Sequence, residues 1–202
     1  MSKKQLVRVA ARGSKLSRVQ IKEVEDLYPS FLFETTYVTT HGDKDLQTSL
    51  RIMDKSDFFT REVDELVLNG MCDLSVHSAK DLPAKLPDGL EVIEITKGVD
   101  NSDSLIVHGK LKAGMVIGTS SVNREKNVLK LCDGIKFVDI RGTVEDRIAM
   151  WERGEIDGVV VAHAALIRLK LTHLPHITLP GPTTPLQGQL ALVAKVGSNP
   201  FG

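Results

Sequence analysis

Two hydrophobic patterns alternate along most of the chain. Short apolar runs, continuous or with every second residue apolar, predict β-strands, and longer segments with apolar residues three to five positions apart predict helices. Strands are predicted over residues 6–11, 33–39, 73–77, 90–95, 115–118, 135–140 and 157–162. Helices are predicted over residues 15–27, about 58–68, 121–132, 143–153 and 164–171. This rhythm is typical of an α/β protein with mostly parallel sheets and helices on both faces.

Two segments interrupt the alternation. A polar stretch covers residues 97–103, and a proline-rich stretch, LPGPTTP, covers residues 179–185. We interpret them as two crossings of the chain between two lobes. The predicted first lobe comprises residues 1–98 and 184–202, and the second comprises residues 99–183.

Composition and charge narrow the range of partners. The chain of 202 residues has 26 basic and 26 acidic residues and a hydrophobic content of 42%. A zero formal charge argues against overall electrostatic attraction to nucleic acid or an anionic membrane. No apolar run approaches the roughly 18 residues of a membrane span, and we see no signal peptide, so we expect a cytoplasmic protein. Cys72 and Cys132 lack the spacing of zinc ligands, and no metal is predicted.

Polar and basic residues follow nearly every predicted strand. Ligands of parallel α/β sheets bind at the carboxyl ends of the strands, and arginine suits carboxylates. The residues at these positions are Arg12, Ser14, Thr40, Asp43, Ser78, Lys80, Asp81, Thr119, Ser120, Ser121, Arg124, Arg141, Arg147 and Arg168. Together they predict a small polyanionic ligand in a cleft between the two lobes. Taken singly, a serine before a helix is more often an N-cap, and a helical arginine is more often solvated surface.

The stretch VHSAKDLP, residues 76–83, places Lys80 and Asp81 side by side after a strand. One interpretation is a turn in which Asp81 caps the residues that follow. The other is a catalytic carboxylate among bases. Spacing alone favours the turn.

Six motifs carry a resemblance to a known family. They are RVAARGSKLSRVQ, VHSAKDLP, GTSSVNRE, DIRGTVEDR, LIRLKL and LQGQLAL, in this order. The set resembles the porphobilinogen deaminase (hydroxymethylbilane synthase) family over nearly the whole chain. The resemblance implies the fold of type II periplasmic binding proteins, in two hinged lobes. It also implies a transferase of tetrapyrrole and haem biosynthesis, which joins four porphobilinogen molecules into hydroxymethylbilane and releases ammonia at each step.

The resemblance also implies roles for individual residues. Asp81 is then the catalytic group, which contacts pyrrole N–H groups and stabilises the cation left when ammonia departs. Phe59 is a further binding residue. The side chains implied to bind substrate or cofactor carboxylates are Arg12, Lys80, Arg124, Arg141, Arg147 and Arg168, helped by Ser14, Ser78, Thr119, Ser120 and Ser121.

The sequence departs from the family pattern at three places. Asn123 stands where the family has the first of two arginines, and RIMDKSDFF, with Lys55 and Phe59, replaces a glycine- and lysine-rich loop. In the family a dipyrromethane cofactor is attached to a cysteine of a third domain, which we expect this chain to lack. Neither Cys72 nor Cys132 lies in the attachment motif, and we expect both to be buried small hydrophobes.

Two functions therefore remain open. One is the transferase, a monomer that acts on porphobilinogen. The other is a cytoplasmic module that binds a polycarboxylate or pyrrole without converting it. The Lys80–Asp81 pair favours the first, and Asn123 and the missing attachment cysteine favour the second. An effector domain of a transcription factor is a weaker third option, because no helix-turn-helix or basic region precedes residue 6.

Overall fold

The chain forms two five-stranded sheets, each with helices packed against it. The computed structural model describes residues 4–49, 51 and 56–202. The described residues divide into two compact units. Unit 1 comprises residues 4–44, 56–97 and 189–202, and unit 2 comprises residues 45–49, 51 and 98–188.

The strands and helices follow one another with short connections. The strands are β1 Gln5–Arg12, β2 Phe31–Val38, β3 Leu74–Ser78, β4 Leu90–Ile95, β5 Asp103–Val107, β6 Val116–Gly118, β7 Lys136–Val138, β8 Gly158–Ala162, β9 His176–Thr178 and β10 Leu190–Lys195. The helices are α1 Lys15–Leu27, α2 His41–Lys44, α3 Arg61–Leu68, α4 Val122–Leu129, α5 Val144–Glu152 and α6 His163–Leu169. A single 3-10 turn, Ala79–Asp81, follows β3 directly.

The two sheets have the same design. The strand order is β2-β1-β3-β10-β4 in unit 1 and β7-β6-β8-β5-β9 in unit 2. β10 is antiparallel to both of its neighbours, and so is β5, so that four of the five strands in each sheet run in one direction. The prediction of mostly parallel sheets is confirmed. The carboxyl ends of β1 and β3 consequently lie at one edge of the first sheet, and those of β6, β7 and β8 at one edge of the second.

Helices cover both faces of each sheet, as predicted. Along β1, Val7 and Val9 pack with α1, whereas Ala10 packs with α3. In unit 2, Val159 of β8 packs with α5 and α6, and Val160 packs with α4. These side chains are fully buried, and each buried valine contributes roughly 1.5–3 kcal/mol to folding.

Local sequence sets several helix boundaries. α1 begins at Lys15 because the Ser14 hydroxyl accepts a hydrogen bond from the Ser17 N–H at 3.2 Å, and its observed bounds are the predicted ones. α5 opens with a capping box between Thr143 and Asp146. α3 begins three residues later than predicted and α4 ends three residues earlier, because turns occupy the extra residues.

Four helices and strands of the described chain were not predicted, namely α2, β5, β9 and β10. β10 lies between β3 and β4, and five of its six residues are buried. The assignment of residues 45–49 and 51 to unit 2 was also not predicted. No helix within the described residues is long and apolar enough to cross a membrane.

Candidate functional site

Asp81 stands just past the end of β3, near the middle of the unit 1 sheet. It is the last residue of the 3-10 turn, which the Leu82 N–H closes by donating to the Ala79 carbonyl at 3.4 Å. The next element in the chain is strand β4, so no helix begins directly after Asp81 for its side chain to cap. Within the described residues the partly exposed Asp81 carboxylate makes no hydrogen bond or ion pair. The observed geometry therefore gives the turn-cap interpretation no support.

Hydrogen bonds hold the end of β3 from both faces of the sheet. On the α1 face, Gln20 Nε2 donates to Ser78 Oγ at 2.8 Å. On the α3 face, His77 Nε2 lies 2.8 Å from Asp64 Oδ1, which also accepts from the Ser75 hydroxyl at 2.9 Å. His77, Asp64 and Ser75 are buried. Strand β3 is thus fixed on both sides immediately before the turn that contains Lys80 and Asp81.

Arg12 and Phe59, both predicted as site residues, lie together in unit 1. The Arg12 guanidinium stands over the Phe59 ring, with Cζ 4.6 Å from the ring centroid. It also pairs with Asp43, whose carboxylate accepts from both Nε and one Nη of Arg12. Burial by itself would raise the pKa of Asp43. The Arg12 hydrogen bond and charge, with hydrogen bonds from Thr40, outweigh burial and hold this pKa below its usual range.

The GTSS turn of unit 2 is held mainly by its own hydrogen bonds. The buried Thr119 Oγ1 accepts from the Ser121 N–H at 3.3 Å, and Ser121 caps α4 by accepting from the Arg124 N–H at 3.4 Å. Ser120 Oγ donates to the Ile140 carbonyl. The N-cap interpretation therefore describes Ser121, as it describes Ser14 in unit 1.

Arg124 and Arg168 donate hydrogen bonds to other residues of unit 2. Arg124 donates to Asp103 Oδ1 through Nε at 3.0 Å and Nη2 at 2.6 Å, and Gln187 Nε2 donates to the same oxygen at 2.9 Å. Arg168 donates to the Gly188 carbonyl at 2.9 Å. Gly188 has φ +84°, and a Cβ there would lie 1.9 Å from the Asp100 carbonyl oxygen, so only glycine fits.

Arg141 and Arg147 also donate to main-chain carbonyls of unit 2. Arg141 donates to the carbonyls of Asp45 at 2.8 Å and Thr48 at 3.0 Å, and thereby holds the segment 45–49. Arg147 Nε donates to the Gly142 carbonyl at 3.1 Å. The sequence indicated arginines at these strand ends but not these acceptors.

A carboxylate, Asp139, supports the same segment. It accepts a hydrogen bond from the hydroxyl of Ser49, and Arg51, two residues further along, forms an ion pair with Glu125 of α4. Burial alone would raise the pKa of Asp139. The hydrogen bonds from Ser120 and Ser49 and the charges of Arg51 and Arg141 lower it instead.

Sequence reasoning missed the acidic and amide partners of the arginines. Asp43 was noted at a strand end but was given no role, and Asp103, Asp139 and Gln187 were not considered. A usable signal existed for Asp43, because the pattern TTHGD places an acid just beyond β2, the neighbour of β1. Asp103 lies 21 residues before Arg124, and no local pattern joins them.

The two cysteines are free thiols. Cys72 is buried, as predicted, and burial raises the pKa of its thiol. The prediction was wrong for Cys132, which is partly exposed and follows α4 instead of lying within a helix. Asn123 is exposed in the first turn of α4, and Lys55 lies outside the described residues. Among the described residues, no three His, Cys, Asp or Glu side chains are grouped to hold a metal ion.

Comparison with known proteins decides the family. Residues 7–200 match the family model described as "Porphobilinogen deaminase, dipyromethane cofactor binding domain". The chain belongs to the porphobilinogen deaminase family. Members of this family are enzymes, transferases of tetrapyrrole biosynthesis, and the family model itself names the dipyrromethane cofactor.

Two curated relatives show the extent of the match. The probable porphobilinogen deaminase of Chlamydia pneumoniae is 39% identical over 95% of this chain and 85% of its own length. The porphobilinogen deaminase of Maridesulfovibrio salexigens is 38% identical over 94% of this chain and 66% of its own length. This chain thus spans about two thirds of the second relative and most of the first.

A solved structure supports the fold. The substrate binding domain 2 of GlnP from Lactococcus lactis matches 100% of this chain and 86% of its own, with a TM-score of 0.51 and 11% identity. At this identity the likeness concerns the fold alone. The predicted fold class, α/β of the type II periplasmic-binding-protein kind, is confirmed.

The described residues meet the chemical needs of a dipyrromethane only in part. Cationic groups for its carboxylates occur at the strand ends, and the Phe59 ring lies beneath one of them, the Arg12 guanidinium. Covalent attachment needs a reactive thiolate, whereas Cys72 is buried with a raised pKa and Cys132 donates its S–H to the Asp133 carbonyl in unit 2. The side chains fit the binding of the cofactor, and neither cysteine has the setting of an attachment site.

Proposed function

We propose that this protein polymerises porphobilinogen into hydroxymethylbilane and releases one ammonia for each molecule joined. The observation that carries the proposal is the Asp81 carboxylate, which lies at a fixed strand end and has no partner within the described residues. A carboxylate placed in this way can accept hydrogen bonds from pyrrole N–H groups and stabilise a developing positive charge.

The chemistry of the substrate explains why such a carboxylate is needed. Departure of ammonia from the aminomethyl group leaves an electron-poor, azafulvene-like cation. A pyrrole carbon of a second ring attacks this cation, a carbon–carbon bond forms, and the attacking ring loses the proton of that carbon to restore its aromaticity. Asp81 would stabilise the cation before the attack, and its neighbour Lys80 would pair with a carboxylate of the same substrate.

Each porphobilinogen brings two carboxylates, so the growing product accumulates negative charge. In unit 1 we assign carboxylate binding to Arg12 and Lys80, and ring stacking to Phe59. In unit 2 we assign it to Arg141, which follows β7, and to Arg147 in α5. Arg124 and Arg168 support the strand ends in this assignment, because Asp103 and Gly188 already accept from them.

The same side chains of unit 1 would hold the dipyrromethane. When bound, this group supplies the pyrrole on which the product chain is started. Arg12 and Lys80 would bind its carboxylates, and Phe59 would lie against a ring. The intact mass of the purified protein tests its attachment, because a covalent dipyrromethane adds the mass of two pyrrole units.

We also propose that the protein acts in the cytoplasm as a monomer. The zero formal charge and the absence of a long apolar run from the sequence support a protein without a membrane partner. Light scattering coupled to size-exclusion chromatography should give the mass of one 22.1 kDa chain.

Two measurements test the proposed function. Saturating porphobilinogen should raise the melting temperature, because a ligand that binds only the folded state stabilises it. The protein supplied with preformed dipyrromethane should then form hydroxymethylbilane, read as uroporphyrin after oxidation. Absence of the thermal shift contradicts binding. A shift without product contradicts the transferase and supports the binding module.

A further inference from the structure

Strand β1 carries two arginine–aspartate pairs of similar geometry, one at Arg8 in the middle of the strand and one at Arg12 at its carboxyl end. Arg8 donates to Asp73 through Nε at 3.3 Å and Nη2 at 2.5 Å. Arg12 donates to Asp43 through the same two nitrogens. Arg8 also donates through Nη1 to the Gly70 carbonyl at 3.1 Å, whereas within the described residues Nη1 of Arg12 makes no hydrogen bond.

Asp43 is itself held firmly. Its Oδ2 accepts from the Thr40 N–H at 2.9 Å and from the Thr40 hydroxyl at 2.8 Å, and Thr40 is fully buried. The neighbouring Gly42 lies so close to Phe59 that a Cβ would stand 2.4 Å from the ring carbons. Helix α2 is therefore packed against the ring that supports one face of the Arg12 guanidinium.

These contacts leave the Arg12 guanidinium little freedom. Asp43 holds the Nε–Nη2 edge, Phe59 covers one face, and the Nη1 end is the part without a protein acceptor in the described chain. We propose that Asp43 is a positioning residue that orients Arg12 so that Nη1 meets a carboxylate of the ligand. This inference rests on the proposed function, because that function supplies the carboxylate.

The electrostatics favour orientation over attraction as the role of the pair. The depressed pKa of Asp43 keeps its carboxylate ionised at neutral pH, so the pair as a whole carries no net charge. Arg12 then recognises the ligand by the direction of its N–H groups. Without Asp43 the long side chain must be ordered each time a ligand binds, which lowers affinity about threefold to tenfold.

A double-mutant cycle tests the inference on the full chain. Porphobilinogen binding is measured by calorimetry for the wild type, Asp43→Asn, Arg12→Leu and the double variant. Asp43→Asn should weaken binding about threefold to tenfold, and Arg12→Leu should weaken it more. The double variant should bind like Arg12→Leu alone, because Asp43 acts only through Arg12. The control Asp73→Asn removes the matching pair at Arg8, in the middle of β1, and should leave affinity unchanged.

Kinetics separate positioning from general structural damage. In Asp43→Asn the KM for porphobilinogen should rise by the same factor while kcat stays within twofold. Thr40→Val keeps the Asp43 charge but removes one of its supports, and should raise KM in the same direction by a smaller factor. If Asp43→Asn fails to fold, Thr40→Val tests the inference instead.

Three outcomes overturn the inference. The first is tighter binding by Asp43→Asn, which would show that Asp43 competes with the ligand for Arg12. The second is that Asp43→Asn lowers affinity by the same factor in the Arg12→Leu background as in the wild type, which would show that Asp43 acts independently of Arg12. The third is an unchanged KM in both Asp43→Asn and Thr40→Val. Failure of the wild type to bind porphobilinogen contradicts the proposed function instead, so the two failures are distinguishable.

Discussion

The two units present different chemistry on the same scaffold. Each has a five-stranded sheet with one antiparallel strand and polar residues past the ends of its parallel strands. In unit 1 a carboxylate, Asp81, stands at such an end without a partner in the described chain, next to Lys80. In unit 2 the arginines at the strand ends donate to carbonyls and carboxylates of the protein itself.

This difference shows that a cation at a strand end need not be a ligand-binding cation. Arg124 and Arg168 hold the chain at Asp103 and Gly188, and Arg141 holds the segment 45–49. Counting arginines in the sequence therefore overestimates the charge that a ligand meets. We therefore propose that the chemistry of the reacting ring takes place in unit 1, where Lys80 and Asp81 are adjacent.

The largest expected effect concerns Asp81. Asp81→Asn removes the charge but keeps the shape, so turnover should fall about a hundredfold or more, since one preorganised electrostatic group commonly contributes that much. Binding of porphobilinogen should fall far less, because other residues bind its carboxylates. Turnover is measured as uroporphyrin after oxidation, and binding by calorimetry. The control is Asp88→Asn, at an exposed aspartate of unit 1 that pairs with Lys85. Full activity of Asp81→Asn would show that the Asp81 carboxylate, which distinguishes unit 1 from unit 2, has no part in the reaction.

The next effect concerns stability in unit 2. The Arg124 and Asp103 side chains are 12% and 3% exposed, and Arg124→Leu leaves the Asp103 carboxylate buried with only Gln187 beside it. Breaking a buried pair in this way costs roughly 3–5 kcal/mol of the free energy of unfolding. Urea denaturation should show a clearly lower midpoint. Arg8→Leu, at the solvated pair of unit 1, should change the midpoint little. Equal midpoints for both variants would show that Arg124 has no structural role.

Local features were predicted well because short segments encode them. The bounds of α1 and the positions of the strand ends depend on residues within one or two turns of each other. The place of β10 was missed because an apolar run gives no information on its neighbours in the sheet. The position of residues 45–49 depends on Arg141, 93 residues beyond Thr48 in the chain, and hydrophobic periodicity contains nothing about such a contact.

The same limit applies to the candidate site. Arg12 and Phe59 were both proposed from the family resemblance, and the structure brings them together with Asp43. Whether an arginine at a strand end has a protein partner depends on the register and on side-chain geometry. Sequence motifs preserve the residue types of the site and do not show which of them neutralise one another.

The smallest effect is a pH dependence that unit 2 should show through Asp139. The pKa of this carboxyl is lowered in the folded protein, because hydrogen bonds from Ser120 and Ser49 and the charges of Arg51 and Arg141 outweigh its burial. A group with a depressed folded pKa stabilises the fold above its unfolded pKa of about 3.9, and this contribution is lost as the pH falls through the folded value. Asp139→Asn lacks the contribution at every pH. The difference in the free energy of unfolding between wild type and Asp139→Asn should therefore be largest near pH 6 and should shrink below about pH 4. Urea denaturation at pH 6, 4 and 3 measures it, and Ser49→Ala should reproduce the trend more weakly, since it removes one of the hydrogen bonds. A difference that stays constant over this range would show that the charge of Asp139 does not hold the segment 45–49 in place.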